Sequence, residues 1–191
     1  INTLRDIEKL EDELRLTIDP NSVPVARKGL LEWPISFPRS RVTQGYGATE
    51  FAQNSDFYKF HNGIDICIVR AAKKCNSGSV GEPVLAAEDG EVIATGNTDS
   101  YCWGGSYGRY VVIKHEKLNL TTLYSHLASF SITKGSIVNR GQVIGGMGAT
   151  GLVTGPHLHF TVYSSPTVSF RPSRVCGILP YGGSLNPMDY L

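Results

Sequence analysis

Apolar residues in the first sixteen positions fall at Ile1, Leu4, Ile7, Leu10 and Leu14, steps of three or four with charges between them. That spacing predicts an amphipathic helix ending near Asp19-Pro20. A helix this short is marginal alone, so it reads as the stub of a longer coiled-coil or linker region. Its charges read first as a solvated face and second as a partner-binding one. Residues 17–33 show no period and contain Pro20 and Pro24, as a linker would.

From Trp33 the pattern changes to short apolar runs broken by Gly, Pro, Asn and Asp. Val84–Glu88 and Glu91–Ala94 flank Asp89-Gly90 and predict a hairpin. Tyr110–Lys114, Thr121–Tyr124, Ser136–Val138, Gln142–Gly145 and His157–Tyr163 predict further strands. Many short strands without long helical stretches between them imply an all-β, antiparallel domain over 33–191, preceded by a helix and linker over 1–32. Residues 66–80, 97–108 and 164–184 read as long surface loops.

Composition sharpens this picture. Of 191 residues, 21 are Gly and only 18% are charged, which suits a turn-rich β protein. Lys and Arg total 18 against 17 Asp and Glu, without the electrostatic footprint of a nucleic-acid binder. No apolar run approaches the roughly 20 residues that span a bilayer, so no membrane contact is expected from this fragment. No leader pattern follows Ile1, so any signal peptide or anchor is expected outside these residues. Cys67, Cys75, Cys102 and Cys176 form no C-x-x-C pair. Cysteines scattered in Gly/Ser-rich stretches read as two disulfides in an oxidising compartment, with three connectivities open.

The chemistry-bearing residues are mostly histidines. In His61-Asn-Gly-Ile-Asp65 an imidazole and a carboxylate, both good zinc donors, can converge on one ion. In His157-Leu-His159 on a strand, both rings share a face about 6.6 Å apart at Cα, while Leu158 and Phe160 turn to the core. Two polar rings there cost desolvation energy unless a ligand or reacting group occupies them. Tyr124-Ser-His126 adds a third such piece. His115 lies outside these patterns and reads as structural. Tyr101, Trp103 and Tyr107 read as loop packing first and groove lining second.

These pieces carry a resemblance. Val42–Gly47 (VTQGYG), His61–Asp65 (HNGID), Gly81–Val92, Tyr107–His115, Thr122–Leu127 (TLYSHL), Lys134–Gly145, Thr150–Phe160 (TGLVTGPHLHF) and Asn186–Leu191 occur in order. Together they resemble the lysostaphin-type zinc metallopeptidases of the M23 family, the LytM-domain cell-wall endopeptidases, over about four-fifths of the chain. The resemblance implies a LytM/lysostaphin-like catalytic domain with a groove. It implies Zn2+ on His61, Asp65 and His159, and His126 and His157 as catalytic histidines without dividing base and oxyanion duties between them. It further implies a peptidoglycan peptide substrate and an extracytoplasmic location. The alternative is a non-catalytic wall-binding or hydrolase-activator module, docked through residues 1–16. All five positions are kept, which favours the enzyme. Three features depart from the family: long segments at 66–80 and 164–184, and Thr161 where the family often has Glu. That last change is expected to bear on groove shape and substrate choice.

Overall fold

A computed structural model describes residues 4–35, 40–69, 79–173 and 175–191. Twelve strands are present among the described residues: β1 (Ser40–Gln44), β2 (Ile64–Ile68), β3 (Pro83–Leu85), β4 (Gly90–Asn97), β5 (Arg109–His115), β6 (Leu120–Phe130), β7 (Ile137–Val138), β8 (Val143–Met147), β9 (Leu158–Ser164), β10 (Ser169–Ser173), β11 (Gly177–Tyr181) and β12 (Ser184–Leu185). The helices are α1 (Leu4–Leu16) and the single-turn α2 (Glu50–Asn54), with short 3-10 turns besides. The main sheet runs β1-β2-β9-β6-β5-β4-β7, with β12 beside β9 and β8 bridging β6 and β3. Its pairings are antiparallel. The all-β expectation holds.

Strand alternation sends side chains to two faces. Val111, Ile113, Tyr124, Leu158, Phe160 and Val162 join Ile64, Ile66 and Val84 in one core. Tyr110, Val112, Leu123 and Tyr163 point the other way, against Ile7, Leu179 and Tyr181. Both faces are therefore covered, which is why β9 is buried along its whole length.

The cover on the second face differs from expectation in its C-terminal part. Residues 164–184 are not a loop: β10 and β11 pair in register from Ser169↔Tyr181 to Ser173↔Gly177. Pro172 and Pro180 lie in this ribbon, whose open edges tolerate Pro. Helix α1, read as a stub with a solvated face, lies on this domain. Ile7 is buried, and Leu10 and Leu14 pack on the same cluster. Burying Ile7 alone contributes about 1.5–3 kcal/mol, enough to hold a helix that is marginal by itself. Arg15 stacks on Phe60, 3.8 Å from the ring centre, and donates to Ser184 Oγ at 3.2 Å. The stretch after α1 is also tied down, by Leu31 N donating to Tyr190 O and Glu32 N to Ala87 O.

The Asp89-Gly90 hairpin is a second correction. β3 pairs with β8, and β4 with β5 and β7, so the flanking segments part rather than pair. Gly90 is required by close approach, since an added Cβ would lie 2.5 Å from Lys114 O. Cys102 and Cys176 form a disulfide that joins the 97–108 segment to the β10–β11 turn. Closing a loop across 74 positions removes unfolded-chain entropy worth about 4 kcal/mol. Cys67 is also disulfide-bonded. Cys75 and most of the expected 66–80 loop lie outside the described residues.

Glu11 on α1 is the one buried acid of the helix. Both its oxygens accept from Asn62 Nδ2, at 3.0 and 2.9 Å, and Tyr163 OH donates at 3.1 Å. Burial pushes its pKa up to about 7, against the pull of these donors and of nearby Arg15. Between the ordinary value of 4.5 and 7 the folded chain holds a proton that the unfolded chain releases, so stability falls as pH rises through that window. Glu11→Gln cannot titrate. Relative to it, the wild type is expected to lose on the order of 3 kcal/mol from pH 4 to pH 8, read from denaturant midpoints. Parallel pH profiles for the two proteins would contradict this.

Candidate active site

Five side chains meet at one end of the second sheet face. Asp65 on β2 stands opposite His159 on β9 in the ladder, and His159 stands opposite Ser125 on β6. The antiparallel register thus converts a separation of 94 residues into a direct contact. His61 precedes β2 and is fixed by reciprocal backbone bonds with Gly47, at 2.9 Å each. His157 enters from the Gly148 bridge just before β9.

His126 reaches the group by a different device. Between the pairs Arg109↔Leu127 and Val111↔Tyr124 lie two residues of β6 but one of β5. His126 is the bulged residue, at φ 62°, with its N–H donating to Tyr107 O at 2.9 Å. A non-glycine residue in that region costs about 1 kcal/mol or more, and the bulge re-aims its ring. His126 then lies 4.8 Å from the His157 ring and 5.9 Å from that of His159.

Each imidazole has one nitrogen anchored. His61 Nδ1 is 2.8 Å from Gly45 O, His126 Nδ1 2.7 Å from Thr150 O, and His157 Nδ1 2.8 Å from Gly155 O. A carbonyl only accepts, so in the neutral rings these nitrogens carry the proton and Nε2 keeps its lone pair. His61 Nε2 lies 3.2 Å from Asp65 Oδ1 and 3.0 Å from His159 Nδ1, which is itself 3.0 Å from Asp65 Oδ1. His157 Nε2 stands 3.6 Å from the same carboxylate oxygen.

The three atoms His61 Nε2, Asp65 Oδ1 and His159 Nδ1 are a donor set that could hold a metal ion. Ligands on a tetrahedral ion with bonds of about 2.0–2.1 Å lie about 3.3 Å apart, close to the separations here. Two imidazoles and one carboxylate match the borderline-soft preference of zinc.

Electrostatics distinguish the histidines. Burial, with His157 and His159 nearby, holds His126 well below the ordinary histidine range, so its ring is neutral at neutral pH. Burial also lowers His159. For His61 burial acts against the charged ring, but the Asp65 carboxylate outweighs it and the pKa rises. Asp65 is buried too, yet His61 and His159 hold it well below the carboxylate range. His115 sits elsewhere, buried, with its ring nitrogens on Asp89 O and Thr122 Oγ1, as its structural reading required.

The site opens into a cavity of 490 Å³. Its walls include α1 (Ile7, Glu8, Glu11), the α2 region (Phe51, Phe57, Tyr58) and the 152–154 loop. Phe51 and Phe57 are more than half exposed, at 57% and 55%, and offer an aromatic wall. Tyr107 lines the cavity, whereas Tyr101 and Trp103 stand outside it. Sequence reading missed Glu11, Asn62 and Ser106. Ser106 is buried at φ 76° with an unpartnered Oγ, and it lines the cavity beside Tyr107. Glu11 carried no signal, because a helical Glu is ordinarily solvated.

The segment from residue 59 to residue 171 matches the model of Peptidase family M23. The peptidoglycan DD-endopeptidase ShyB of Vibrio cholerae serotype O1 is 33% identical over 130 residues, 68% of this chain and 26% of that protein. A solved structure described as a zinc containing peptidase from Vibrio cholerae superposes with a TM-score of 0.55 at 32% identity, covering 70% of this chain and 36% of that one. The catalytic domain of lysostaphin from Staphylococcus simulans gives 0.54 at 26% identity, covering 78% and 89%. The chain spans about a fifth to a quarter of the length of the curated relatives it matches.

Gly63 separates the two donors of the H-x-x-x-D pattern, and an added Cβ would lie 2.4 Å from Phe160 O and 2.7 Å from Thr161 Oγ1. Backbone cannot retreat cheaply, so Gly63→Ala is expected to destabilise the fold by about 1–3 kcal/mol, measured by denaturant unfolding. An unchanged midpoint would contradict the tight β2–β9 approach.

Proposed function

The chain belongs to peptidase family M23, and on that premise we propose that it is a zinc-dependent endopeptidase hydrolysing peptide bonds of peptidoglycan outside the cytoplasm. The observation that carries this reading is the convergence of two imidazole nitrogens and one carboxylate oxygen, mutually 3.0–3.2 Å apart, beside two further histidines in an open cavity. A relative named as a peptidoglycan DD-endopeptidase supports the substrate class, and the Cys102–Cys176 disulfide supports an oxidising compartment.

His61, Asp65 and His159 would hold the ion. Bound zinc supplies Lewis-acid polarisation and brings the pKa of water toward about 7. In their neutral tautomers His126 and His157 offer Nε2 as the lone-pair nitrogen, because Nδ1–H donates to Thr150 O and Gly155 O. A ring with a free Nε2 lone pair takes the proton of the attacking water there, and a ring that carries Nε2–H donates it to the carbonyl oxygen as it gains charge. The depressed pKa of His126 keeps that ring a free base at neutral pH. The aromatic wall of Phe51 and Phe57 receives the peptide.

Purified protein is expected to hold about one zinc and to release new amino termini from sacculi. Asp65→Ala and His159→Ala should lose both metal and cleavage. His126→Asn, which tolerates the left-handed backbone, should keep the metal while cleavage falls by about 10²–10⁴-fold. Metal retained by the first two variants would overturn the ligand set. A metal-loaded wild type that cleaves no wall chemotype would leave the non-catalytic module.

A further inference from the structure

Three of the four converging imidazoles are anchored by backbone carbonyls, and the fourth is not. His159 Nε2 lies 2.9 Å from Thr161 Oγ1. Thr161 is fully buried two positions further along β9, where strand alternation returns it to the same face. The backbone of Gly63 closes over the contact: a Cβ there would stand 2.7 Å from Thr161 Oγ1 and 3.0 Å from His159 Cε1.

A neutral imidazole carries one proton, and its position decides which nitrogen offers a lone pair. His159 Nδ1 is the atom that faces Asp65 Oδ1 and His61 Nε2. We propose that Thr161 is a positioning residue, whose Oγ1 accepts from His159 Nε2–H and so holds Nδ1 as the metal-facing lone pair. This rests on the ligand set proposed above. The hydroxyl suits the place better than a carbonyl would. With no metal bound, it can turn and donate to Nε2 while Nδ1–H donates to Asp65. His159 is then hydrogen-bonded in both states, whereas an aliphatic side chain at 161 leaves a buried N–H unpaired whenever metal is held. Thr161, expected from the sequence to bear on groove shape, is fully buried and outside the cavity lining, and acts instead on metal retention.

The test uses the intact chain and zinc, with affinity measured by competition against a chromophoric chelator. Thr161→Val preserves shape and removes the hydroxyl, and is expected to weaken zinc binding about 10–100-fold. Thr161→Ser restores the hydroxyl and should stay close to wild type. Melting of the metal-free proteins establishes that each variant is folded. Wild-type affinity in folded Thr161→Val, or a Ser variant as weak as Val, would overturn the proposal. Asp65→Asn in the same assay separates the two levels. If it binds zinc normally, the ligand set itself fails. If it loses zinc while Thr161→Val does not, only the role of Thr161 fails.

Discussion

Four imidazoles each have one nitrogen fixed to the scaffold, and three of them, those of His61, His157 and His159, hold the other within 3.6 Å of the Asp65 carboxylate. Gly45, Thr150 and Gly155 supply carbonyls, and Thr161 supplies a hydroxyl. Anchoring sets orientation and proton position together, so three lone-pair atoms come within 3.2 Å of one another. Such an arrangement repels itself without a proton or a cation at its centre. Much of the local structure can be understood as holding that unfavourable geometry in place.

The scaffold does this with rigid elements. Asp65 and His159 sit on paired central strands, and the β2–β9 approach is close enough to demand Gly63. His126 is turned inward by a bulge that places a non-glycine residue at φ 62°. That strain is local, and the neighbouring β5–β6 ladder, one of the best buried parts of the sheet, absorbs it. Helix α1 belongs to the same construction. Its Glu11 grips Asn62, the residue after His61, so the helix buttresses the turn that carries His61 and leads into β2.

How much of this was legible in the sequence follows from the range of each signal. The alternation in His157-Leu-His159-Phe160 is a strand property, and it correctly sent Leu158 and Phe160 to the core and His157 and His159 to the cavity. The stripe of Ile7, Leu10 and Leu14 predicted α1, but what a stripe packs against is a tertiary fact, and Glu11 in isolation looks like any solvated acid. Asp89-Gly90 misled because a short-range turn signal was outvoted by the pairing partners of β3 and β4. The β10–β11 ribbon went unread in 164–184, where Pro172 and Pro180 occupy positions that a ribbon's open edges accept. The His126 bulge left no mark at all, since nothing in Tyr-Ser-His-Leu announces an extra residue. Ordered family pieces bridged that gap for the fold, while hydroxyl and carbonyl anchors emerged only from coordinates.

X-ray absorption at the zinc edge of the metal-loaded chain tests the central claim most directly. The account predicts a single tetrahedral environment of nitrogen and oxygen neighbours at about 2.0–2.1 Å, with scattering from two imidazole rings, and no zinc signal of that kind from His61→Ala. Sulfur ligation, an oxygen-only shell, or a spectrum indifferent to His61 would contradict it.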